Sequence, residues 1–96
     1  MNQFFESLGA EWVEAAKGRG AEISTPSLDS RVALELLELA RVAAHTQERR
    51  FAPLTSYLAG VAAERLRARK PEVDDGDIAA FIQEVRQRLE RDVPGL

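Results

Sequence analysis

Pro53 limits what this chain can fold into more than any other residue. Its ring holds φ at about −65°, removes a backbone N–H and disfavours helical geometry at the preceding residue, Ala52. Apolar residues recur at three- and four-residue steps on both sides of it. Val32, Ala33, Leu36, Leu37, Leu39, Ala40, Ala43 and Ala44 come before; Leu54, Tyr57, Leu58, Val61, Ala62 and Leu66 come after. That period is helical. Without the proline the pattern would read as one long helix. With it, the chain turns a corner between a helix over 27–49 and another over 53–69.

The other stops are glycines and acids. Phe4, Phe5, Leu8, Trp12, Val13 and Ala16 predict a first helix over 3–17, with Glu6, Glu11 and Glu14 between them. "KGRG" ends it, with Gly18 or Gly20 available for a left-handed cap. In the link "AEISTPS", Ile23 is the one large apolar residue; Thr25 or Ser27 can cap the second helix, and Pro26 suits its first turn. "PEVDDGD" makes the last turn, with Asp74 as cap, and Ile78, Phe81, Ile82, Val85 and Leu89 form the stripe of a fourth helix over 75–92. No strand-like alternation and no internal repeat is present. The predicted fold is all-α, a compact four-helix bundle in a single domain over 1–96.

Within that fold, the apolar arc of the second helix covers close to half its circumference, which predicts the central position. Gly60 sits inside the third helix, where it costs about 1 kcal/mol relative to alanine. Small residues around it and opposite, Ala63 on one helix and Ala40 and Ala44 on the other, predict two backbones crossing at close range. The polar stripe of the second helix pairs Arg31 with Glu35 and Glu38 with Arg41, then sets His45 beside Arg49; on the fourth helix Glu84 faces Arg88.

Composition removes several functions. The 96 residues hold no cysteine, so thiol chemistry and most zinc sites are excluded. No run of about 18 apolar residues could span a membrane, and "MNQFFESLGAEW" lacks the basic lead and apolar run of a signal peptide; cytoplasmic residence is the expectation. A net charge of −3 argues against gripping a phosphate backbone. "RLRARK" and "RQRLER" have Glu64 and Glu90 among them and no aromatic residues for base stacking, so nucleic acid is not the expected partner. The acids at 72–77 lack the alternate spacing of a calcium loop and serve as helix caps; no metal and no cofactor is predicted. One histidine and no glycine-rich phosphate loop leave little for catalysis, and the chain is not expected to be an enzyme.

What remains is the corner. His45, Arg49 and Arg50 close one helix; Pro53, Thr55 and Tyr57 open the next, whose first N–H groups favour anions. These six are the candidate binding residues, for a phosphate, a carboxylate or an acidic loop. The plainer reading makes His45 a solvent-exposed residue near a helix end and Tyr57 part of the core.

The stretch "LELARVAAHTQERRFAPLTSYLAGVAA", residues 37–63, resembles a small actinobacterial helical family of unknown function. Its members occur alone or attached to the carboxyl end of nucleotidyltransferase domains of the type that makes molybdopterin guanine dinucleotide. The likeness runs through Leu37, Leu39, Ala40, Arg41, Ala44, His45, Glu48, Arg49, Ala52 to Thr55, Tyr57, Leu58, Gly60, Ala62 and Ala63. Where that family often carries an acid after the arginine, this chain has Val42, which would alter a polar site shared with His45 or Arg49. The resemblance implies a protein partner, a molybdenum-cofactor enzyme, and names no reaction. The expectation is therefore a non-catalytic accessory or interaction module linked to molybdenum-cofactor maturation or a molybdoenzyme. One alternative is a self-associating homodimer that buries Leu34 and Val42 between subunits. The other is a sensor of a small anionic ligand or nucleotide at the same corner.

Overall fold

A computed structural model describes residues 2–92. The described residues form four helices and no strand: α1 (Gln3–Gly18), α2 (Ser30–Thr46), α3 (Phe51–Arg69) and α4 (Asp75–Arg91). The chain is all-α. Packing divides it into two compact units, one up to Ser30 and one from Arg31 onward.

In the first unit, the Asn2 side chain caps α1 by accepting from Phe5 N–H at 3.2 Å. Of the two glycines at its end, Gly20 takes the left-handed conformation, with φ +81°. Gly20 N–H donates to Lys17 C=O and Ala21 N–H to Ala16 C=O, the paired bonds that satisfy the last carbonyls of a helix. The link then crosses back over Gly9, the one buried residue of α1. A Cβ built at Gly9 would lie 2.6 Å from Pro26 C=O and 3.1 Å from the Thr25 methyl. That contact holds Thr25 and Pro26 on the link. Pro26 is therefore not in a helical first turn, and α2 starts at Ser30 instead of 27.

In the second unit, α2, α3 and α4 share one core. Leu39, Ala63, Ile78 and Ile82 are buried together, with Val32, Leu36, Ala59, Leu66 and Val73 packed around them. Two features of α2 differ from its sequence pattern. Leu37, counted in the apolar arc, is 69% exposed, while Val42, outside that arc, is fully buried. The buried arc is rotated by about one residue, toward α4. Glu35 turns the same way: it accepts from Arg86 of α4 at 3.1 Å, and Arg86 also bonds Glu90. The Arg31 guanidinium lies 2.9 Å from the Cβ position of Gly76, near the Asp74 carboxylate. The pairs Glu38–Arg41 and Glu84–Arg88 form at 3.1 Å and 2.7 Å.

The corner is tighter than the proline implied. Thr46 Oγ donates back to Val42 C=O at 2.8 Å, and α2 ends there instead of at 49. Phe51 N–H and Ala52 N–H donate to Glu48 and Arg49 C=O, so α3 begins at Phe51 instead of 53. Pro53 is then the third helical residue, where a backbone N–H has no helical acceptor to lose. Asp74 caps α4 in a reciprocal box: Asp77 N–H donates to the Asp74 carboxylate at 2.9 Å, and Asp74 N–H to Asp77 at 3.0 Å.

Gly60 is not a crossing point. A Cβ there would meet nothing within 4 Å. It lies about 100° around α3 from Ala59 and Val61, and on an exposed side. Of the four residues expected at a close helix crossing, Ala63 is buried in the core and Ala40 and Ala44 are half-buried. Only the glycine faces out.

Candidate functional site

The six corner residues do not converge. His45 is exposed in the last turn of α2, where a basic group complements the negative end of the helix dipole. Because α2 stops at Thr46, Arg49 leaves the face of His45 and stands exposed in the connecting turn. Arg50 is engaged locally: its guanidinium pairs with Glu48 at 3.2 Å and lies over the Phe51 ring at 6.0 Å. Pro53 is exposed. Thr55 and Tyr57 are two residues apart on a helix, about 200° around its axis, so they cannot face one site. Thr55 is half-buried and turns toward α4, while Tyr57 is exposed and not part of the core.

Thr55 instead lies in an apolar cleft between α3 and α4. Leu39 and Ile82 are its floor; Leu58, Ala59 and Ala62 line it from α3, and Phe81, Val85 and Leu89 from α4. The cavity is about 270 Å³, and the Thr55 hydroxyl is the one polar side-chain group on its walls. Two things make the space. Ala59 and Ala62 are small residues on the line where α3 meets α4, and neither is filled from across. Leu58, Val85 and Leu89 stand at the mouth, partly in water.

The cleft continues onto an exposed apolar strip. Leu54 is 61% exposed and Leu58 68%, with Tyr57 beside them. The first half of α3 therefore carries apolar side chains over an arc of about half its circumference, only part of which is covered by α2 and α4. An arc that wide normally meets more than one neighbour. That signal was present in the sequence, in Leu54, Tyr57, Leu58, Val61, Ala62 and Leu66, whose spread around α3 exceeds one stripe.

Charge chemistry elsewhere is structural. The Asp77 backbone N–H holds the Asp74 carboxyl below its ordinary value, with the Arg31 charge helping. The Glu90 carboxylate raises Arg86, with Glu35 adding to it. Among the described residues no group of three or more His, Asp or Glu side chains is placed to hold a metal ion. No described helix is long and apolar enough to cross a membrane.

No curated protein and no solved structure matches the chain. A family model does, over residues 6–94, which contain all four helices except the first turn of α1. The chain belongs to that family, the domain of unknown function DUF6457.

Proposed function

We propose that this chain is a non-catalytic interaction module, and that it binds its partner through the exposed face of α3. The observation that carries this reading is the uncovered strip of Leu54, Tyr57 and Leu58, continuous with Val85 and Leu89 of α4. Large apolar side chains grouped on one face mark contact sites, and aromatic residues among them are common anchors. The charged corner is the weaker surface, since its residues point in different directions and Arg50 is already engaged.

The proposed partner is a molybdenum-cofactor enzyme, or a protein of that cofactor's maturation. What supports it is the likeness of residues 37–63 to a family found fused to molybdopterin nucleotidyltransferase domains. Part of that stretch, from Leu54 to Leu58, is the exposed strip itself. A domain that accompanies an enzyme, in the same chain or separately, needs a docking face and no active site of its own.

Affinity capture from the native cell tests both parts. The tagged chain is compared with Leu54→Glu/Leu58→Glu and with His45→Ala/Arg49→Ala. A molybdenum-cofactor enzyme should be recovered by the parent chain and the corner variant, and lost by the leucine variant. Loss with the corner variant alone would return the site to His45 and Arg49. Recovery of the chain alone would favour the homodimer, which has exposed Leu34 to use but not Val42, since Val42 is buried within one protomer.

A further inference from the structure

The cleft between α3 and α4 has a chemistry distinct from the strip beside it. We propose that it is a binding site for a medium-chain aliphatic carboxylate, with the chain in the cleft and the carboxylate at Arg65. The cleft shares Leu58, Val85 and Leu89 with the docking strip and differs from it in Thr55, Ala59 and Ala62, while Leu54 and Tyr57 lie outside its walls.

Three observations set the ligand class. The walls are apolar apart from one hydroxyl, so the enclosed part of the ligand is hydrocarbon. A methylene takes up about the 30 Å³ of a water molecule in the liquid. The 270 Å³ cavity therefore holds roughly nine of them. The third observation concerns the rim. Leu58, Ala62 and Arg65 follow one another at helical steps along the same side of α3, so the line of the cleft runs out at an exposed guanidinium.

Arg65 is also available. Three arginines of α3 and α4 are already engaged: Arg67 pairs with Asp75 at 2.7 Å, Arg86 with Glu35 and Glu90, and Arg88 with Glu84. Arg65 bonds to no described residue. An acid of about ten carbons fits with its chain along Ala62 and Ala59 toward Thr55, and its carboxylate in water beside the guanidinium. A neutral alcohol of the same length would fill the cleft and gain nothing from Arg65.

Decanoate and decanol are the probes, titrated below the concentration at which decanoate forms micelles, into the full chain labelled at its methyl groups. The expected result is a saturable shift at Ala59, Ala62 and Val85 with both. Arg65→Gln, an exposed change that leaves the core alone, should weaken decanoate by about threefold to fivefold, the size of one solvent-exposed ion pair, and leave decanol unchanged. Ala62→Leu, which fills the cleft, should abolish both shifts in a protein that still melts cooperatively. The proposal is overturned if decanoate gives no saturable shift. It is equally overturned if the shift survives Ala62→Leu, or if Arg65→Gln affects acid and alcohol alike. Cleft methyl shifts that change with protein concentration before any ligand is added would also overturn it, since a second copy would then be the occupant. A silent cleft leaves the capture experiment open, and repeating that capture with Leu54→Glu alone, outside the cleft walls, makes the two readings fail separately.

Discussion

Two glycines inside helices look alike in sequence and differ in what surrounds them. At Gly9 the link crosses so close that a methyl group would sit 2.6 Å from Pro26 C=O, a backbone atom that cannot swing aside. At Gly60 nothing lies within 4 Å. Alanine is the better helix former by up to about 1 kcal/mol, so Gly60→Ala should stabilise the chain by about 0.5–1 kcal/mol. Gly9→Ala should instead force the link off α1, and urea denaturation of the two variants should move in opposite directions. Asp74 makes a second prediction at this scale. Its carboxyl is held low chiefly by the Asp77 N–H, with Arg31 adding to it. A depressed acid contributes stability that is fully present above its unfolded value, 3.8, and lost as pH falls through the lower folded value. Asn at the same position keeps a capping oxygen but carries no charge. Melts over an acid series should show the parent chain above Asp74→Asn near neutrality, with the gap closing only below the ordinary carboxylate range. A gap independent of pH would mean that the charge of Asp74 contributes nothing.

At the scale of elements, what could be read from sequence and what could not divide along a physical line. The existence of four helices is encoded locally, in Gly20, Pro53 and Asp74 and in the apolar steps between them. Which face of each helix is buried is decided by its neighbours. Leu37 and Val42 are both apolar, and only tertiary packing puts the second inside and the first in water. The corner residues diverge for the same reason: neighbours in sequence are about 100° apart for each step around a helix, so Thr55 faces the cleft and Tyr57 does not. The cleft itself was hidden because its walls come from three helices and its defining residues, Ala59 and Ala62, carry no chemistry of their own. The link between α2 and α4 gives this scale its prediction. Glu35 and Arg86 are only 14% and 15% exposed at their side chains. Arg86→Leu leaves Glu35 partly buried without its cation and should cost about 1–2 kcal/mol, while Glu35→Leu/Arg86→Leu removes both charges and should recover most of it. A double variant no more stable than the single one would show that the arginine stem, and not the charge pair, holds the two helices.

Across the whole molecule the buried apolar residues are unevenly distributed. Among the described residues the buried hydrophobic ones are Leu39, Val42, Ala43, Ala63, Ile78, Ala79 and Ile82, and all of them belong to α2, α3 and α4. α1 buries only Gly9, beneath its own link, and shows Phe4, Leu8 and Trp12 to solvent. A helix of 16 residues with so little burial is close to the length at which isolated helices are marginal in water. Its amides should therefore open locally, at a small fraction of the free energy needed to expose the core. Hydrogen exchange at neutral pH should find the slowest amides around Leu39, Ala63 and Ile78 to Ile82, with those of α1 exchanging orders of magnitude faster. The same experiment bears on function. If α1 exchanged as slowly as α4, its aromatic face would be covered in solution. If α1 is fast and Leu54 and Leu58 gain protection only when the partner is added, the exposed side of α3 is the docking face, and the α2–α4 core is the platform that holds it in place.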